Sequence, residues 1–138
     1  MPNSGPSTTL GGVFMKPERI HLTLGLIWLI AGMLLGEHMG RSGDHGQLPT
    51  HAHMMLLGGV LSVLWAVLYR VFGLGGGFLA WIQVGLHHIA VLIMIPSLYL
   101  MFGALADEAT VGPLLGISAI MAIVSVALML LLSLRAKD

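Results

Sequence analysis

Seven histidines and no cysteine, in a chain of 138 residues, set the terms of any chemistry this protein performs. Without thiolates there is no disulfide, no iron–sulfur cluster, no cysteine-bound zinc and no thioether-linked c-type heme. A metal here is held by nitrogen, oxygen or a methionine thioether. The sharpest local pattern is Thr50-His51-Ala52-His53-Met54-Met55-Leu56-Leu57-Gly58-Gly59. Two residues along an α-helix amount to about 200° of rotation, so His51 and His53 project to opposite sides. They cannot chelate one ion from a regular helix, which asks for a spacing of three or four, but each can serve a separate site on its own flank. With no carboxylate close by in this segment, neutral imidazole points to heme iron or copper.

The remaining histidines divide into layers. His38, His45, His51 and His53 share one, around the first polar loop. His87 and His88 lie in another, about nine residues or some 13 Å into a later apolar stretch, too far away to share an ion with the first. His21 stands at the mouth of the first apolar stretch and reads, like His45, as a solvated residue without a role, while His38 reads as interfacial or functional. Adjacent His87 and His88 point about 100° apart, so at most one faces a given neighbour. For this pair a hydrogen bond inside a bundle competes with a functional role, because ionisable groups within a membrane are costly and turn toward a cavity or a partner.

The elements that must carry these residues are written in the composition. Hydrophobic residues make up 57% of the chain and charged residues 9%, against about 25% charged in an ordinary soluble domain, and mean hydropathy is +0.94. This is the composition of an integral membrane protein. Six basic and six acidic residues give no net charge, so nothing favours a nucleic-acid partner. A hydrocarbon core takes roughly 20 helical residues to cross, and four stretches qualify: residues 20–39, 51–71, 78–103 and 111–134. Glycine-rich or acidic breaks separate them (Gly40 to Asp44, Gly73 to Gly77, Asp107-Glu108), and loops this short imply antiparallel neighbours in an all-α four-helix bundle. Pro96 should kink the third span and Pro113 suits the start of the fourth. Lys16, Arg19, Arg70, Arg135 and Lys137 fall on one side and only Arg41 on the other, so both termini are expected inside. Residues 1–19 read as a disordered or interfacial lead, 20–134 as the membrane domain and 135–138 as a cytoplasmic tail.

The segment from His51 to Val60 resembles the His-Ala-His signature of small membrane proteins related to subunit I of the heme–copper oxidases, and the similar segment of the larger NnrS-type heme–copper proteins. Leu86-His87-His88-Ile89 resembles a Leu-His-Asn-Ile element in the third span of those small relatives, with His88 in place of Asn. Ala31-Gly32-Met33 and Gly36 are similar to the first helix of subunit I. That subunit arranges twelve helices as three arcs of four, and the second helix of each arc carries metal-binding histidine. One such helix bears a His-x-His whose imidazoles bind two different hemes. The resemblance implies that this chain is a single arc. Three copies would close into a ring, with His51 of one protomer meeting His53 of the next across a b-type heme; a dimer is the main variant.

The departures from that family matter equally. Its copper site uses three histidines, including a His-His pair toward the outer side, whereas His87-His88 lies in the inner half. The family's cross-linked tyrosine has no counterpart visible here, since the only tyrosines are Tyr69 and Tyr99. Oxygen reduction is therefore not implied. A bis-histidine heme has no open position and suits electron transfer. The expectation is a membrane cytochrome, in a bacterial inner membrane, ligated by His51 and His53. Arg41 would neutralise heme propionates, Met54 and Met55 would pack against macrocycle or lipid, and a quinone or a redox protein would be the partner. Heme or copper handling, with copper the second-choice cofactor, is the alternative.

Overall fold

The computed structural model describes residues 15–136; most of the expected lead-in and tail, 1–14 and 137–138, lie outside them. Among the described residues there is no strand, and four helices are long and apolar enough to cross a membrane: α1 (Pro17–Ser42), α2 (Leu48–Val71), α3 (Phe78–Phe102) and α4 (Glu108–Arg135). Each contains or nearly coincides with an expected span. Where α1 and α2 begin about a turn early, a proline in the first turn explains it, since Pro17 and Pro49 carry no N–H to satisfy and are preset in φ. Asp107 caps α4, its carboxylate accepting the Thr110 N–H at 2.9 Å. That hydrogen bond holds the Asp107 carboxyl below the usual carboxylate range.

Helices α1 and α2 form one closely packed hairpin and α3 and α4 another, with α3 also meeting α1 and α2. The buried face of α1 carries His21, Gly25, Gly32 and Met39. At Gly25 a methyl group would sit 2.9 Å from Ser62 Cβ and 3.1 Å from the Val63 nitrogen, so the two backbones meet there at a distance only glycine permits. At the end where α4 finishes, Met129 packs with Trp65, Tyr69, Leu74 and Ala80. The outside is apolar: Ile30, Met33, Leu34, Ile120, Ile123 and Leu130 are all exposed. A surface of this kind belongs against hydrocarbon rather than water.

The sequence reading took α2 as a regular helix, and it is not. Residues Met54–Val60 form a π-helical turn between α-helical Leu48–His53 and Leu61–Val71. In a regular helix Thr50 and Ser62, both buried, would differ by twelve steps of 100°, about 120° out of phase. One residue absorbed by the wide turn leaves eleven steps, about 20°. The turn therefore puts Thr50 and Ser62 on one inward face. His51 and His53 precede it, in regular geometry, so their opposed projection stands.

Candidate functional site

His51 and His53 stand at the α1–α2 loop end of the bundle, the end expected to face outward. His51 is half-buried, its Nδ1 2.8 Å from the carbonyl of Gly32 on α1. The ring lies over Gly36, where a methyl would come 2.8 Å from Cε1. His53 is exposed, its Nδ1 2.8 Å from the carbonyl of Pro49 one turn earlier. A carbonyl only accepts, so in both neutral rings Nδ1 carries the proton and donates it, and Nε2 keeps its lone pair. Metal-ligating histidines are commonly fixed in this way by a hydrogen bond from the other ring nitrogen. The helix start is itself anchored: Thr50 Oγ1 donates to Gln47 Oε1 (2.6 Å), and Gln47 Nε2 donates to the carbonyl of Tyr99 (3.0 Å).

The other outer residues are less engaged. Arg41 is exposed and pairs with Glu37 one turn earlier on its own helix, a surface pair worth little by itself. His38 is exposed, and His45 Nδ1–H donates to the carbonyl of Gly43 (3.0 Å). Met55 and Met54 pack against Gly32, filling space between α1 and α2.

The inner layer holds a cluster that the sequence reading did not assemble. His21, read there as solvated, is fully buried. The reason is helix phase: it sits four residues before Gly25 and eleven before Gly32, on the one stripe of α1 that packs. With His87 and His88 it forms a group in which one ring nitrogen from each lies within 4.8 Å of the others. Ring centroids are 4.8 Å apart for His21–His88, 4.9 Å for His87–His88 and 5.5 Å for His21–His87. The adjacent pair does split between neighbours, His87 turning to α2 and His88 to α1.

Hydrogen bonds fix the direction of this network. Tyr69 O–H donates to Gln83 Oε1 (2.9 Å). The same amide oxygen faces His21 Nε2 at 3.0 Å, and since it only accepts, His21 carries its proton on Nε2. Its bare Nδ1 then accepts from His88 Nε2–H at 2.9 Å. That leaves His88 Nδ1 as a lone pair with no partner among the described residues, and the Gln83 Nε2 amide also has none there; both atoms are buried. On the other side, Trp65 Nε1–H donates to His87 Nδ1 (3.3 Å), so His87 Nε2–H donates to Ser62 Oγ (2.8 Å). Three neutral imidazoles thus converge in the bundle interior, and among the described residues no carboxylate is bonded to any of them. A cluster of this kind could hold a metal ion.

Gln83, Tyr69, Trp65 and Ser62 were likewise missed. Their signal was again phase: Gln83 and His87 are four apart on α3, and Ser62, Trp65 and Tyr69 fall at i, i+3 and i+7 on α2, a polar stripe on each of two otherwise apolar helices. No family model, curated protein or solved structure matches this chain.

Proposed function

We propose that the chain is a membrane b-type cytochrome, an electron carrier in which His51 and His53 ligate heme iron between protomers. The observation that carries this reading is the state of the two imidazoles. Each has its Nδ1–H spent on a backbone carbonyl, which leaves Nε2 as the ligating atom. The two rings leave α2 on opposite flanks, and opposed surfaces of this kind make heterologous contacts that close into a ring, here a homotrimer, with a dimer as the variant. Heme supplies one-electron chemistry when bound. The protein's part is to fix ligand tautomer and orientation and to exclude water with an apolar surround. Two imidazoles on one iron leave no open position, which favours electron transfer over oxygen reduction. Arg41 is the nearest cation to the outer histidines in sequence and is the proposed partner of propionate groups, in competition with Glu37. The basic groups Lys16, Arg19 and Arg70 line one groove at the opposite end, which favours that end as cytoplasmic in a bacterial inner membrane.

The test is a reduced-minus-oxidised absorption spectrum of the detergent-purified protein with a pyridine hemochrome assay. A low-spin b-type spectrum at about one heme per chain is expected for a closed ring, and His51→Ala and His53→Ala should each abolish all heme binding. Retention of half the heme by either variant rules out shared ligation. A colourless protein from cells well supplied with heme refutes the cytochrome reading.

A further inference from the structure

We propose that His21, His87 and His88 form a binding site for a monovalent copper ion, separate from the outer histidines and independent of whether those bind heme. The site is assembled from α1 and α3 and enclosed by α2, and His21, His87 and Gln83 are fully buried with His88 nearly so. Two features distinguish it from a set of histidines that merely satisfy one another. Among the described residues, His88 Nδ1 and Gln83 Nε2 end the network unpartnered, so hydrogen bonds within the cluster do not by themselves complete it. Moreover, the rings already carry the outer hydrogen bonds that fix ligand imidazoles: His21 Nε2–H is held by Gln83, itself held by Tyr69, and His87 Nε2–H by Ser62.

The geometry is close to what a three-coordinate ion requires. Metal–imidazole bonds of about 2.0 Å in a trigonal plane put the donor atoms about 3.5 Å apart. His21 Nδ1 and His88 Nε2 face each other at 2.9 Å, and one ring nitrogen from each of the three residues lies within 4.8 Å of the others. An ion between them replaces the His88-to-His21 hydrogen bond, and the displaced proton moves to His88 Nδ1, which changes from an unpartnered acceptor to an unpartnered donor. His87 gives up one hydrogen bond, the 3.3 Å one from Trp65 being the weaker.

Charge selects the ion. Three neutral ligands leave the full ionic charge in the bundle, with no carboxylate among the described residues bonded to the cluster. Because the Born cost of burial grows with the square of the charge, a divalent ion costs about four times as much as a monovalent one. Zinc also takes a fourth ligand, and the two hydroxyls beside the cluster are both engaged, Ser62 with His87 and Tyr69 with Gln83. Imidazole suits copper, and the monovalent d10 ion accepts three-coordination.

The experiment uses the full-length protein in detergent, loaded anaerobically with Cu(I) and stripped of loose metal by bicinchoninate. Copper per chain is then measured, and the copper K-edge X-ray absorption is recorded. The expected result is stoichiometric copper with nitrogen scatterers near about 2.0 Å and no sulfur, lost at least tenfold in His87→Ala and His88→Ala and retained in His51→Ala and His53→Ala. Helix content by circular dichroism shows which variants fold; if none does, the wild-type absorption edge and scatterer set decide. Failure of the wild type to retain copper, undiminished copper in a folded His88→Ala protein, sulfur in the coordination shell, or preferential retention of zinc over copper each overturns the proposal.

Discussion

Replacing Gly36 by alanine isolates the seat of His51 from the histidine itself. A methyl group at Gly36 would lie 2.8 Å from His51 Cε1 and 3.2 Å from Nδ1. Ordinary carbon contacts are about 3.5–4.0 Å, so the ring must retreat by roughly 0.7–1.2 Å. Its Nδ1–H bond to the Gly32 carbonyl is 2.8 Å long, and a retreat of that size carries it past about 3.5 Å, where it ceases to be a hydrogen bond. The direct loss is about 1 kcal/mol, but the ring is also freed to turn and to exchange tautomers. Loss of an outer hydrogen bond of this kind weakens metal affinity about 10- to 100-fold. Glycine to alanine inside a helix itself stabilises by about 1 kcal/mol, so helix stability and heme affinity should move in opposite directions. Gly40, on the same helix with nothing within 4 Å of an added methyl, is the control. Heme titration of apoprotein followed at the Soret band should show Gly36→Ala weakened and Gly40→Ala unchanged, with neither protein less helical. Equal affinity for Gly36→Ala and wild type would refute the view that this bond positions the ligand.

Two further perturbations test the interior and the helix start. Tyr69→Phe removes the hydroxyl that donates to Gln83 Oε1 in a fully packed site and should lower stability by about 1–3 kcal/mol, read from thermal unfolding in detergent; an unchanged midpoint would show that the chain of hydrogen bonds is not taut. Because the Thr110 hydrogen bonds hold Asp107 below its ordinary value of 3.8, the ionised cap is fully present above that ordinary value and is lost only as pH falls through the depressed one. Protection of the Thr110 amide, its exchange rate relative to that of an unstructured amide at the same pH, should therefore fall only in that acid range, and in Asp107→Ala it should be low and insensitive to this titration; loss of protection already at neutral pH would refute the cap.

The four helices were legible because span length and hydropathy are one-dimensional properties: a stretch of about 20 apolar residues bounded by Gly40 to Asp44 or Gly73 to Gly77 needs no partner to be recognised. The opposed projection of His51 and His53 was legible for the same reason, since it depends only on helical pitch over three residues. What failed was the placement of His21. Distance from the span mouth implied solvent, but burial is decided by azimuth, and its phase with Gly25 and Gly32 was the better guide. Tyr69 and Gln83 were invisible for a different reason. Their meeting with His21 depends on which faces of α1, α2 and α3 turn inward, and the face of α2 changes at the π-helical turn, which no spacing rule for a regular helix anticipates. The direction of each hydrogen bond, and with it the free lone pair on His88, follows only from the assembled contacts.

As proposed binding sites, the two histidine layers are separate yet close enough to interact electrostatically. His51 and Ser62, which touches His87, are eleven residues apart on α2, about 16 Å along the axis at 1.5 Å per residue. No ligand is shared at that distance. Two unit charges so placed interact by about 1 kcal/mol at an effective dielectric constant near 20, and counterions in solution screen them little because bundle and lipid lie between. Oxidation of a heme at the outer layer adds one positive charge, so a cation held by His21, His87 and His88 should oppose it and raise the midpoint potential by roughly 40–50 mV, the one-electron equivalent of 1 kcal/mol. Potentiometric titration with and without Cu(I), with His88→Ala as the variant in which copper should have no effect, measures this directly. A potential that does not move on stoichiometric copper loading would mean that the metal lies elsewhere or that water enters the bundle between the layers.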